Sequence, residues 1–177
     1  TWVDVGSDAL ISVLSTNQTI SLVAGDVTGL AGYGDGNTIH FRAVVTDIAG
    51  NDDVAFNESG TTLLVDLTAP AAFSTGDVTT TGGNFVPDYW NSSNEDVEVD
   101  VTVPAGDATL IGGIIQIQAK INDGSFANVG SAVTISSAGG KTITIPRSDF
   151  NDLPYGTNSI ITFRGVITDD AGNSTNG

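Results

Sequence analysis

One stretch of this chain is written twice. Thr-Asp-Ile-Ala-Gly-Asn at residues 46–51 returns as Thr-Asp-Asp-Ala-Gly-Asn at 168–173. Around it, residues 33–51 match 155–173 at 11 of 19 positions, at a constant offset of 122. Further upstream, residues 2–7 align with 126–131, 19–22 with 142–145 and 26–30 with 149–153, the offset drifting only between 124 and 122. A repeat with a period of roughly 120 residues means one supersecondary plan used again, and it constrains the fold before any single residue does.

The repeat divides the chain. Residues 1–66 read as the C-terminal part of a first unit, and 67–177 as a second unit that stops where its last strand is expected. The joint is Asp66-Leu67-Thr68-Ala69-Pro70, where the proline lacks an amide donor and holds Ala69 extended, as suits a short stiff connector. Thr1 falls inside a repeat and no signal peptide opens the chain, so the sequence reads as a window on a longer polypeptide.

Within each unit the period is that of strands. Ile39, Phe41, Ala43 and Val45 alternate with His40, Arg42, Val44 and Thr46, and the twin strand carries Ile161, Phe163, Gly165 and Ile167. Val97, Val99, Val101 and Val103 alternate with Glu98, Asp100 and Thr102, and Ile115, Ile117, Ala119 and Ile121 with Gln116, Gln118 and Lys120. Such patterns predict strands with one face on a core. Residues 51–60 read as a polar loop before a last strand at 61–66, and 76–94 as a long polar loop. About seven short strands per unit predict an all-β chain of β-sandwiches.

Composition enters through charge. The formal net charge is −16, and of 21 acidic residues only Glu58, Glu95 and Glu98 are glutamate, which leaves 18 aspartates. That surface repels phosphate backbones, so no nucleic-acid partner is expected, and it suits hard cations. There is no cysteine, hence no disulfide and no thiolate site. No apolar run has the length of a membrane span.

Val-Thr-Asp-x-Ala-Gly-Asn closing a strand at residues 45–51, together with a strand running into Asp-x-Thr-Ala-Pro at 66–70, resembles the bacterial immunoglobulin-like tandem domains of large cell-surface proteins and adhesins. The resemblance covers essentially the whole chain and implies tandem Ig-like Greek-key β-sandwiches on an extracellular, cell-surface protein. It also implies calcium near the unit junction, with Asp47, Asn51 and Asp66 as candidate ligands and Asp169 and Asn173 as the second copies; the position equivalent to Asp66 falls outside this window for the second copy. The same motif also makes a good turn by itself, with aspartate accepting local amides and glycine or asparagine taking positive φ.

Other features are weighed in the same way. His40 is the lone histidine and its twin is Thr162, so no catalytic role is shared by the repeats, and no serine or cysteine nucleophile array can be assembled. An enzyme is not expected. Phe85, Tyr89 and Trp90 form an aromatic group that could meet a glycan or a neighbouring chain, or fold down on its own unit. Asn17, Asn57, Asn91 and Asn173 head N-glycan acceptor patterns. The function these readings favour is a structural spacer in an adhesin, surface layer or filament. Its partners would be neighbouring repeats or copies of itself, joined by strand addition. The alternative is a carbohydrate- or ligand-binding adhesin domain using residues 85–90.

Overall fold

The computed structural model describes residues 1–14, 17–55 and 62–177, without the side chain of Ala55. The chain is mostly β, with several antiparallel sheets. It divides into two compact units, Thr1–Leu67 and Thr68–Gly177.

The first unit holds a five-residue helix, α1 (Ala24–Thr28), and four short strands, β1 (Thr38–His40), β2 (Ala43–Thr46), β3 (Asp52–Ala55) and β4 (Thr62–Leu64). β1 pairs with β4 and β2 with β3, both antiparallel. The strand expected to run unbroken through residues 37–47 is interrupted at Phe41 and Arg42. The loop expected at 51–60 instead begins with β3. The rest of that loop, the acceptor pattern at Asn57 and the strand start at Thr61 lie outside the described residues. Among described apolar side chains of this unit, only Val65 is buried.

The second unit contains β5 (Thr75–Thr81), β6 (Asp96–Val103), a 3-10 turn at Ala108–Leu110, β7 (Ile114–Ile121), β8 (Ala127–Asn128), β9 (Val133–Thr134), β10 (Gly139–Pro146), α2 (Arg147–Asn151), β11 (Ile161–Thr168) and β12 (Ser174–Asn176). One sheet runs β10-β6-β5, and the other β12-β11-β7-β8 with β9 also on β7. The alternation read from the sequence is what packs them together. Val97, Val99 and Val101 of β6 and Ile143 and Ile145 of β10 share one buried cluster with Ile115 and Ile117 of β7 and Ile167 of β11. Period-2 patterning on both sheets puts every second side chain into that cluster, where each aliphatic residue contributes about 1.5–3 kcal/mol by leaving water.

One expectation is corrected here, and one strand was not foreseen. Residues 75–81, most of them assigned to a loop, form β5 on the edge of β6, with a register shift between Thr75 and Val78. Their Gly-Asp-Val-Thr-Thr-Thr composition hides a strand that buries little. The unforeseen strand is β12, which directly follows the second Asp-x-Ala-Gly-Asn motif as β3 follows the first. Ser174, Thr175 and Asn176 pair with Thr168, Ile167 and Val166, and the Gly177 amide donates to the Gly165 carbonyl. The unit's own residues therefore cap that part of the β11 edge, because a tight turn delivers the chain directly back alongside the strand it left.

Candidate functional site

The two copies of the repeated motif form the same object. In the first unit the turn between β2 and β3 is closed by the Asp47 amide donating to the Asn51 carbonyl (2.9 Å) and the Gly50 amide to the Asp47 carbonyl (3.0 Å). Asp47 Oδ1 accepts from the amides of Ala49 (2.9 Å) and Asn51 (2.8 Å), and Oδ2 accepts from Asn51 Nδ2 (2.9 Å). In the second unit the Asp169 amide donates to the Asn173 carbonyl (3.0 Å) and the Gly172 amide to the Asp169 carbonyl (3.2 Å). Asp169 Oδ1 accepts from the Asn173 amide (2.8 Å) and Oδ2 from Asn173 Nδ2 (3.1 Å). Gly50 and Gly172 sit at φ +86° and +99°, a backbone region that side chains disfavour, which explains glycine at this place in both copies. The aspartate satisfies amides that a tight turn would otherwise leave bare, and the asparagine clamps it from the far side.

Electrostatics follow from that geometry. The Asn51 side-chain amide, then its backbone amide, hold the Asp47 carboxyl below the usual carboxylate range by favouring its charged form.

The surroundings of the two turns differ. Asp47 is exposed, whereas Asp169 is 3% exposed. What covers Asp169 is the segment around the 3-10 turn. The Asp170 amide donates to the Thr109 carbonyl (2.9 Å), and Thr109 is fixed by Asp107, whose Oδ1 accepts its amide (3.0 Å) and hydroxyl (2.5 Å). Gly113 lies so close that a Cβ there would meet the Thr168 carbonyl oxygen at 2.3 Å and Asp169 Cα at 2.9 Å. That approach was not anticipated from the sequence; the adjacent pair Gly112-Gly113 was its signal.

Asp66 is not gathered with Asp47 and Asn51 of its own unit. The Val65 amide donates to the Asn37 carbonyl and the Gly36 amide to the Val65 carbonyl, so Asp66 lies by the start of β1, while Asp47 follows the end of β2. Next to it, Asp35 Oδ1 accepts the Leu67 amide (2.6 Å). Calcium asks for six to eight oxygens. Here both oxygens of Asp47 and of Asp169 are turned onto their own turn's donors, and Asn51 and Asn173 offer N–H groups rather than carbonyls to them. Among the described residues no three acidic or imidazole side chains converge. Within each unit, then, the aspartate carboxylates of the two turns are engaged by their own turn's donors.

The aromatic group is split. Trp90 folds down on its own unit: its ring centroid is 4.4 Å from that of Phe150, its Nε1 donates to the Tyr155 hydroxyl (3.0 Å), and the Arg147 guanidinium lies 5.8 Å from its ring centroid. Tyr155 in turn donates to Asn151 Oδ1 (2.7 Å). Trp90 is thus a plug on the core, with its indole N–H satisfied as burial requires. Phe85 and Tyr89 stay exposed, on a short loop where Val86 bridges Tyr89. Two acceptor-pattern asparagines are also committed: Asn91 Nδ2 donates to the Asn84 carbonyl (2.8 Å), and Asn173 Nδ2 holds Asp169. His40 is exposed on β1.

No helix of the described residues is long and apolar enough to cross a membrane. In comparison with known proteins, the chain matches no family model, and no curated protein or solved structure comes close enough to count as a match.

Proposed function

We propose that this chain is an extracellular structural or spacer module of a cell-surface adhesin, surface-layer or filament protein, built of tandem Ig-like Greek-key β-sandwiches. The observation that carries the reading is that the repeated motif makes the same turn twice, with the asparagine's backbone and side-chain N–H groups donating to the aspartate carboxylate in both copies. A turn whose aspartate carboxylate is held by its own asparagine serves architecture. Units of this kind bury a core within themselves and meet mainly their neighbours, which yields extended arrays. The acidic surface keeps such an array soluble and away from polyanions.

The second reading, a glycan-binding adhesin domain, has one observation in its favour: Phe85 and Tyr89 are exposed side by side on one loop. A glycan array with wild type and Tyr89→Ala separates the two. A spacer gives no signal above background in either protein; a glycan signal that Tyr89→Ala abolishes would overturn the spacer reading. Stiffening by calcium is tested by thermal unfolding with excess calcium and with a chelator. Equal melting is expected from turns that satisfy their own donors. A calcium-dependent rise lost in Asp47→Ala would restore the ion.

A further inference from the structure

Basic side chains are scarce in this chain, five Lys and Arg against 21 acids, so their positions carry information. In the second unit two of them are spent on local oxygens. Arg147 donates to the carbonyls of Asn94 (2.6 Å) and Ser92 (2.7 Å), and Lys141 donates to the Ser137 hydroxyl (2.7 Å). The other two gather on one ring. The Arg164 guanidinium of β11 lies 4.1 Å from the Phe126 ring centroid and Lys120 Nζ of β7 lies 5.3 Å from it, while Arg164 Nε donates to Gln118 Oε1 (2.8 Å). Arg164 stands opposite Gln118 and Thr162 opposite Lys120, so the two cations are diagonal neighbours, about 7–8 Å apart along the sheet. Ile117 and Ala119 are buried, which turns Gln118 and Lys120 to the outer face. The first unit repeats the central contact, with Arg42 4.6 Å from the Trp2 ring centroid. The ring holds each cation from one side and leaves its remaining N–H groups pointing outward.

The other sheet of the same unit carries the opposite sign on its outer face. Val97, Val99 and Val101 of β6 are buried, so Asp96, Glu98 and Asp100 form a column turned away from the core, at successive spacings of about 6.5–7 Å. Across the strands, Asp96 stands opposite Thr81 and Pro146, Glu98 opposite Thr79 and Thr144, and Asp100 opposite Thr142. The column's neighbours are thus hydroxyls and a proline rather than cations, and Thr142 Oγ1 donates to Asp100 Oδ1 (2.7 Å). We propose that the outer face around Lys120, Phe126 and Arg164 is a docking surface for the acidic β6 face of a second copy of this chain. Charge and spacing specify the occupant: two cations about 7–8 Å apart meet carboxylates about 6.5–7 Å apart, on a face whose small flanking threonines let the ring approach. Because the two faces differ, the contact is heterologous and runs on from copy to copy instead of closing a dimer. The inference deepens the spacer reading by naming the partner of its filament form, and rests on that reading for its role.

The test follows backbone amide signals of isotope-labelled full-length chain from about 10 μM to about 1 mM, the range of a weak contact. Salt at about 0.15 M gives a screening length of about 8 Å, which quiets the repulsion between copies of charge −16 and spares pairs in contact. Concentration-dependent shifts are expected on both faces, at Lys120 and Arg164 and at Glu98 and Asp100. Arg164→Glu and Glu98→Lys should each weaken association at least about tenfold, since each sets like charges together, and an equimolar mixture of the two variants should restore it. Lys120→Glu takes the place of Arg164→Glu, with the same expected rescue, if the latter alters the melting curve. Absence of concentration dependence, shifts on one face alone, association undiminished in the variants, or a mixture that fails to restore it would each overturn the proposal. So would shifts at Lys120 and Arg164 that a polyuronate produces and the chain itself does not, because the face would then belong to an acidic glycan. A glycan-array signal that Tyr89→Ala abolishes would sink the spacer reading and leave this contact standing.

Discussion

The two units of this chain share a local plan and differ in what lies over it. Both have the Asp-x-Ala-Gly-Asn turn with the asparagine clamped on the aspartate, a five-residue helix at matching offset, and an arginine laid on an aromatic ring. In the second unit β6 and β7 lie against that plan and convert it into a core; among the described residues of the first unit there is no counterpart of those strands and one buried apolar side chain. The difference separates two kinds of information. Turns, short helices and ring contacts are set by residues a few positions apart or on adjacent strands, and they form in either setting. Burial requires the second sheet. A single substitution site shows the same division: Gly165 in β11 has Phe73 at 3.1 Å and Val101 at 3.3 Å from where a Cβ would be, while its repeat counterpart is Ala43, which is exposed.

This comparison can be broken most easily at paired positions. Ile167→Ala should destabilise the second unit by about 2–5 kcal/mol, as deletion of a fully buried aliphatic side chain does, while Val45→Ala should stay within about 0.5 kcal/mol. Urea denaturation of the two variants measures both, and equal losses would show that the first unit has a core of its own.

The turns give a smaller contrast. Asp169→Ala should cost about 1–3 kcal/mol, because the Asn173 donors would be left bare in a covered site. Asp47→Ala should cost less, since water reaches the Asn51 donors in its place. Smaller again is Trp90→Phe, expected at about 0.5–1.5 kcal/mol for the lost hydrogen bond to Tyr155, with the ring contact to Phe150 kept. A larger loss would mean that the indole is needed for shape as well.

The smallest effect is on pH. The Asp47 carboxyl is held below its usual range in the folded chain, so its stabilising contribution is present above the unfolded carboxyl pKa and is lost as pH falls through the folded one. The Asn51 side-chain amide signal should therefore titrate with a midpoint below that of the same residues in a short unfolded peptide. A midpoint at or above the peptide's would remove the clamp from the account.

Much of this was legible in the sequence, and the reason is periodicity. β6, β7 and β11 bury every second residue and announced themselves by alternation, and the Asp-x-Ala-Gly-Asn turn was readable because aspartate, glycine and asparagine each have a separate job in it. β3, β5 and β12 were not legible. Their Asp, Asn, Ser and Thr residues face solvent on at least one side, and the strands exist because a turn or a neighbouring strand holds them in line. The five-residue helices are too short to show a helical period. The fate of Trp90 depends on Tyr155, 65 residues away, and on Phe150, so nothing local distinguished it from Phe85 and Tyr89. The place of Asp66 was illegible for a similar reason: the register of β4 on β1 decides where it goes, and that register is a long-range fact.

Native-state hydrogen exchange tests the central claim most directly, by comparing amides at matched repeat positions in one sample. The account predicts that Ile143 and Ile167 exchange on the order of a hundredfold more slowly than Ile20 and Val45, because opening the former requires breaking a core. Matched protection at these pairs would contradict it, and would mean that the first unit is held by something other than the half-plan it shares with the second.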